Sequence, residues 1–128
     1  MTAVGVPGTT DTRPLVAVVC SVPLLGEAMG SALEFAEVRA FSARGGDIGG
    51  LLRWLHPDAV IVDSEAGAAE ATAFAIEHDL PVLHISVRDR ELRLFRGGEW
   101  ELIGNGEGPT PESIRNVVAG SLFARGGR

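Results

Sequence analysis

Hydrophobic and polar positions follow two periodicities along this chain, and the changes of period divide it into short elements. Two continuous apolar runs, LVAVVC at 15–20 and DAVIVD at 58–63, have the length and composition of strands buried on both faces of a parallel sheet. Elsewhere apolar residues recur at helical spacing or alternate with polar ones. The pattern predicts alternating strands and helices.

The remaining segments complete a regular order of elements. Helices are predicted at 21–34, 45–57, 64–80 and 110–126, and further strands at 35–42, at 81–87 and on both sides of Gly97-Gly98 within 91–103. Short connections between alternating elements favour a mostly parallel sheet with right-handed crossovers. We expect an α/β fold, a three-layer sandwich with a mostly parallel sheet and a C-terminal β-hairpin at its edge.

The chain is long enough for one domain with a single core, at 128 residues of which 45% are hydrophobic. Residues 1–13 hold Gly, Pro and Thr without periodicity, which predicts a flexible tail. Residues 14–126 are expected to form the domain.

Charge and composition narrow the functional classes. The net charge is −6, and all eleven basic residues are Arg, so mechanisms that need a lysine are excluded and no nucleic-acid partner is expected. A single Cys fits a reducing compartment, and no apolar run approaches the roughly 20 residues of a membrane span. The N-terminus lacks a signal pattern. These features predict a cytoplasmic protein without a membrane partner.

Polar or reactive residues occur where three predicted parallel strands end. Cys20 ends the first strand and Ser21 follows it, Asp63 ends the third strand, and Ser86 lies at the end of the fourth. Open α/β sheets place ligand crevices at such ends, so these four residues are expected to line one. Asp63 is either reactive or a side-chain cap for the next helix. Ser86 is either a site residue or bonded to loop backbone, and Cys20 either a sensor thiol or an inert small hydrophobe.

Other motifs give no catalytic or metal site. The three His, at 56, 78 and 84, have no metal-ligand spacing, and GGDIGG at 45–50 fails the phosphate-loop fingerprint. No nucleophile with a base and an orienting group can be identified. We therefore expect no cofactor, no metal and no enzymatic activity.

Four stretches resemble the receiver domain of bacterial response regulators, in its degenerate pseudo-receiver form. They are VVCSVPLLGEAMGSALE, HPDAVIVDSE, DLPVLHIS and TPESIRNVVAG, and the resemblance spans residues 14–126. It implies a flavodoxin-like three-layer sandwich with strand order 2-1-3-4 and the hairpin at the edge beside strand four. It also implies that Asp63 occupies the phosphoacceptor position and that Ser86 is the hydroxyl residue ending the fourth strand.

The chain also departs from the receiver pattern. Cys20 and Ser21 stand where the family has two acids that hold Mg²⁺, the family's lysine is absent, and a hairpin replaces the last strand. Mg²⁺ needs several hard oxygen ligands, so Mg²⁺-dependent phosphorylation of Asp63 is not expected. The resemblance implies a non-catalytic regulatory module that acts through a protein partner. The alternative is a small-ligand sensor that uses the crevice.

The predicted hairpin carries a candidate interaction surface formed by Arg93, Phe95, Arg96 and Trp100. It is either an amphipathic pair of strands that completes the sheet or a surface for a partner, since aromatic residues with Arg are common interface anchors. Because exposed edge strands are usually covered, homodimerisation is a further prediction.

Overall fold

The computed structural model describes residues 13–42, 47–86, 88–105 and 110–126. Most of the predicted tail, residues 1–12, lies outside this range, as do residues 43–46, which include the first two glycines of GGDIGG. Arg13, which the sequence assigned to the tail, lies inside it: its guanidinium donates a hydrogen bond to the carbonyl oxygen of Ala36 at 2.8 Å.

The described chain forms an α/β structure in the predicted order. Its strands are β1 (Leu15–Cys20), β2 (Glu37–Ser42), β3 (Ala59–Val62), β4 (Val82–Ser86), β5 (Glu91–Arg96) and β6 (Glu99–Asn105). Its helices are α1 (Pro23–Ala32), α2 (Ile48–Leu55), α3 (Glu65–His78) and α4 (Pro111–Gly126). The first three helices are shorter at both ends than the predicted segments, and α4 is shorter by one residue at its start.

All six strands form one mixed sheet in the order β2-β1-β3-β4-β5-β6. Strands β2, β1, β3 and β4 run parallel to one another, in the predicted order 2-1-3-4. β5 and β6 run antiparallel beside β4, and Gly97 and Gly98, both at positive φ, join them. The positive φ values suit glycine, since other residues are strained there.

Two apolar clusters cover the opposite faces of this sheet. Helices α1 and α4 pack on one face, where Met29 and Leu33 meet Val18 and Ile61 among other side chains. Helices α2 and α3 pack on the other face, with Leu52 and Phe74 in the second cluster. The alternation of side chains along β1 and β3 supplies both clusters, which explains why these strands are apolar throughout.

Local contacts fix where the helices begin and how closely they pack. The Asp47 carboxylate accepts a hydrogen bond from the Gly50 N–H at 2.9 Å and caps α2. In α1, a Cβ on Gly26 would lie 2.6 Å from the Cβ of Ala40 on β2. Glycine at this position therefore allows α1 to approach the sheet closely.

Candidate functional site

The crevice at the carboxyl ends of β1 and β3 is bridged by one carboxylate. Asp63 directly follows β3, and Ser21 directly follows the neighbouring β1. The Ser21 N–H donates to both oxygens of Asp63, at 2.9 and 3.1 Å, and the Ser21 hydroxyl donates to Oδ2 at 3.1 Å. Asp63, which is half-buried, thus holds the loop that leads into α1.

The cap of α3 is Ser64, the residue after Asp63. Its hydroxyl accepts a hydrogen bond from the Gly67 N–H at 3.0 Å, and its backbone is extended, as an N-cap requires. The interpretation of Asp63 as the side-chain cap is therefore wrong. Its carboxylate is directed across the sheet to β1 and not into the first turn of its own helix.

A second aspartate links β3 to β1 at the opposite end of the strand. Asp58 immediately precedes β3, and its Oδ2 accepts a hydrogen bond from the Leu15 N–H at 2.8 Å. The Asp58 N–H in turn donates to the Leu15 carbonyl oxygen at 2.7 Å. The sequence pattern did not predict this contact. The available signal was the motif DAVIVD, in which two carboxylates bracket a four-residue strand.

Cys20 is a protonated, buried thiol in this arrangement. Its side chain is 5% exposed, and Sγ lies 3.8 Å from the carbonyl oxygen of Phe41, to which the thiol donates. Burial raises the pKa of Cys20 above its ordinary value of 9.0, and the negative charge of Asp63 raises it further, against a smaller lowering by the Gly26 backbone. A reactive thiolate needs the opposite shift, so this environment favours an inert residue.

Ser86 is held by the turn between β4 and β5. Its hydroxyl donates to Asp89 Oδ2 at 3.1 Å and accepts from the Asp89 N–H at 3.4 Å. Within the described part of the chain it makes no hydrogen bond to Asp63 or Ser21. The structure therefore brings Cys20, Ser21 and Asp63 together at one end of the sheet. The Ser86 hydroxyl instead bonds within the turn, which was one of its two interpretations.

The carboxyl ends of β1 and β2 border a small cleft. Among the described residues, no group of three or more His, Cys, Asp or Glu side chains could hold a metal ion. A cleft of about 190 Å³ lies beside the crevice, between the ends of β1 and β2. Its lining residues are Cys20, Ser21, Ala40, Phe41 and Ser42.

The candidate surface on β5 and β6 is built around Trp100. This indole is 40% exposed and lies over Phe95, with the ring centroids 5.3 Å apart. Its edge also approaches the buried imidazole of His84, at 6.1 Å between centroids. Phe95 itself is 5% exposed and belongs to the core, so it supports the Trp100 ring from beneath and offers no free face.

The two arginines of this surface are exposed and paired within the chain. Arg93 bonds Glu91 at 2.8 Å, and Arg96 lies 3.7 Å from Glu101. Exposed pairs of this kind contribute little stability and can exchange for other carboxylates. Arg93 lies on the sheet face of Phe95 and Trp100, whereas Arg96 and Glu101 lie on the opposite face, the face of Leu94. The side chains available to a partner on one face are therefore Trp100 and the Arg93 guanidinium group.

Comparison with protein-family models, with curated proteins and with solved structures finds no match for this chain. No helix in the described ranges is long and apolar enough to cross a membrane.

Proposed function

We propose that this chain is a non-catalytic pseudo-receiver module with a flavodoxin-like fold, which regulates a protein partner without Mg²⁺-dependent phosphorylation. The observation that carries the proposal is the engagement of Asp63 with Ser21. Both carboxylate oxygens, which a phosphoacceptor would present to a phosphoryl donor, accept hydrogen bonds from a neighbouring loop. The Asp63 carboxylate thus has a structural role at the position that resembles the phosphorylated aspartate of receiver domains.

The surroundings of Asp63 support the same proposal. Phosphoryl transfer to a carboxylate depends on cations that neutralise the phosphoryl oxygens. The described residues offer no three-ligand cluster here, the chain contains no lysine, and the neighbouring Cys20 is a neutral thiol. Asp63 by itself supplies one hard ligand, which is too few for a stable Mg²⁺ site.

The finer fold assignment belongs to this proposal as well. A flavodoxin-like fold has a parallel sheet between two helical layers, and the parallel order β2-β1-β3-β4 with helices on both faces is compatible with it. In this assignment the C-terminal hairpin, β5 with β6, takes the place of a last parallel strand. The connection from β4 to β5 is then a turn where the fold ordinarily has a crossover helix.

Incubation with Mg²⁺ and a small phosphoryl donor such as acetyl phosphate tests the proposal. We expect the intact mass of the protein to remain unchanged, with the Asp63→Asn variant as the matched control. The proposal would be contradicted by a phosphate adduct that forms on the natural chain only with Mg²⁺ and does not form on Asp63→Asn.

The partner surface is tested separately with the two tryptophans. Trp100 lies on the candidate surface, whereas Trp54 is 73% exposed on α2 and serves as the control. We expect Trp100→Ala to weaken partner binding at least about tenfold, since buried aromatic anchors carry most interface energy. Trp54→Ala should leave binding unchanged. Equal effects of the two substitutions would exclude the β5–β6 surface.

A small-ligand sensor is the second candidate function, because of the cleft next to the crevice. The cleft, about 190 Å³, combines the hydroxyl of Ser21 with apolar walls from Ala40 and Phe41. This mixture is typical of sites for small organic ligands. A thermal-shift screen with nucleotides and metabolites distinguishes the two functions, since a dose-dependent rise of the melting midpoint favours the sensor.

A further inference from the structure

Two of the three histidines of the chain come together at the ends of neighbouring helices. His56 directly follows α2, and His78 is the last residue of α3. Both helices pack on the same face of the sheet. The imidazole rings of the two residues lie 6.3 Å apart between centroids, with their planes at 78°. The residues are distant in the sequence, so the fold alone places their side chains next to each other.

The topology of the sheet explains why these two helices end at the same place. Helix α2 leads from β2 to β3, and α3 leads from β3 to β4, and these strands all run parallel. Each helix therefore begins at the carboxyl end of a strand and ends near the amino end of the next one. The histidine pair lies at this amino end of the sheet, opposite to the crevice that Asp63 and Ser21 form.

The His78 ring is positioned by the core while its nitrogen atoms stay available. Its imidazole stacks on Phe74, one turn earlier in α3, with the centroids 4.3 Å apart and the planes at 28°. Phe74 is 3% exposed, whereas the His78 side chain is 39% exposed. Within the described ranges neither His56 nor His78 uses a ring nitrogen in a hydrogen bond. Since imidazole binds metals through its nitrogen atoms, both rings are free to act as ligands.

His56 has an uncommon backbone conformation for a residue with a side chain. It ends α2 with φ 54° and ψ 58°, in the left-handed region, and its N–H donates to the Leu52 carbonyl oxygen at 2.9 Å. Glycine is the usual residue at such a helix end, because a Cβ is strained there. Strained residues of this kind concentrate at functional sites, which is a reason to look for a role of the His56 side chain.

We infer that His56 and His78 together bind one divalent transition-metal ion of the zinc, copper and nickel class. A bond from the metal to an imidazole nitrogen is about 2.0 to 2.1 Å long, which places the metal about 3 Å from each ring centroid. Two rings on one ion therefore have centroids about 5 to 6.5 Å apart, and the observed 6.3 Å lies in this range. The inference goes beyond the pseudo-receiver proposal and does not depend on it.

The remaining ligands of the ion are water molecules in this proposal. Among the described residues, no group of three or more His, Cys, Asp or Glu side chains could hold a metal. Imidazole suits Zn²⁺, Cu²⁺ and Ni²⁺, whereas Mg²⁺ and Ca²⁺ require several oxygen ligands. The histidine pair should therefore distinguish between these two classes of metal.

The electrostatic surroundings of the histidine pair favour a cation. The C-terminus of a helix carries a partial negative charge, and α2 and α3 both end here. The Glu77 carboxylate adds a full negative charge, with Oε1 3.9 Å from His78 Nε2. Arg53, the basic residue in the last turn of α2, has its guanidinium 3.7 Å from the Cβ position of Gly49, toward the beginning of that helix. Its positive charge is thus directed away from the pair.

Isothermal titration of the full chain with ZnCl₂ tests the site. We expect one Zn²⁺ per chain and no binding of MgCl₂. His56→Asn, which tolerates the left-handed backbone, and His78→Gln should each weaken Zn²⁺ binding at least about tenfold, because one imidazole cannot chelate. The double variant should bind no more weakly than either single variant. Glu65→Gln, which removes an exposed acid at the other end of α3, is the control and should bind like the natural chain.

Nuclear magnetic resonance of the natural chain tests the same site without any substitution. A substoichiometric amount of paramagnetic Ni²⁺ should broaden the imidazole signals of His56 and His78 together, and those of the buried His84 on β4 much less. Equal broadening of all three histidines would overturn the inference. Two Zn²⁺ ions per chain, each lost with one histidine, would overturn it because the rings would then act separately. The absence of saturable binding up to about 1 mM Zn²⁺ would overturn it equally.

Discussion

The Asp63 carboxylate binds the backbone N–H and the hydroxyl of Ser21, 42 residues earlier in the chain. It therefore joins the loop after β1 to the end of β3. Hydrogen bonds to a charged acceptor contribute more to stability than neutral ones. This structural contact is a sufficient reason for a carboxylate at the end of the apolar strand β3, and a catalytic role is not needed to explain it.

Replacing Asp63 by Ala should lower the free energy of unfolding by about 1 to 2 kcal/mol, because the Ser21 N–H and hydroxyl lose their acceptor at a half-buried site. Asp63→Asn keeps one acceptor oxygen and should cost less. Urea unfolding followed by circular dichroism measures both values. Glu27→Ala, at an exposed carboxylate on α1, is the control and should stay within about 0.5 kcal/mol. Equal values for Asp63→Ala and Glu27→Ala would contradict the structural role.

The stability of this protein in alkaline solution should depend on Cys20. The chain has neither Lys nor Tyr, so Cys20 is the only side chain expected to lose a proton between about pH 8.5 and 12. Its pKa is raised in the folded state, so the unfolded thiol ionises first. The stabilisation is complete below the unfolded pKa and is lost as pH rises through the folded one.

Urea midpoints measured from about pH 7.5 to about pH 10.5 check this dependence. The midpoint of the natural chain should hold steady at first and decline above about pH 9. Cys20→Ala should start from a lower stability, because a core side chain is truncated, and then show a flat profile. A decline of equal size in Cys20→Ala would rule out the thiol as its cause.

Removal of the α3 cap gives a third prediction. Ser64→Ala should lower the free energy of unfolding by about 1 kcal/mol, since the Gly67 N–H loses its acceptor. Ser64→Asp retains an acceptor and adds a favourable charge at the helix N-terminus, so it should keep most of the stability. Thermal unfolding compares the three chains. An Asp variant as unstable as the Ala variant would show that the cap is unimportant.

Two glycines of α1 should respond to alanine with opposite signs. Gly26→Ala places a Cβ 2.6 Å from the Cβ of Ala40 and should lower the free energy of unfolding by about 1 to 3 kcal/mol. A Cβ on Gly30 meets nothing within 4 Å, so Gly30→Ala should raise it by about 0.5 to 1 kcal/mol. Urea unfolding decides the sign. Destabilisation by both would mean that helix propensity does not govern the exposed position.

The order of elements was predictable, because burial on two faces leaves a continuous apolar signal in β1 and β3. The strand order 2-1-3-4, which the structure contains, was predicted from the receiver resemblance. The caps at Asp47 and Ser64 are local features, and the helical segment predicted at 45–57 placed Asp47 near the start of a helix without giving it a capping role. The second was missed because Asp63, one residue earlier, is also a good capping residue. The distinction depends on backbone direction, which the residue types do not specify.

Contacts between distant segments were beyond sequence reasoning. The Asp58–Leu15 and Asp63–Ser21 bonds join residues more than forty positions apart, and nothing in their types names the partner. The burial of Phe95 was likewise unpredictable, since Phe95 and Trp100 have similar local patterns. Their difference arises because β5 lies inside the sheet and β6 at its edge.

The paired aspartates have a consequence for how the central strands find their alignment. The residues of β1 and β3 are apolar on both faces, so the hydrophobic pattern within these strands does not by itself distinguish one register from the next. A slip of one residue would, however, take both carboxylates away from the backbone N–H groups that they now hold. The hydrogen bonds of Asp58 and Asp63 therefore fix the register of β3 against β1, which hydrophobic burial alone would leave open.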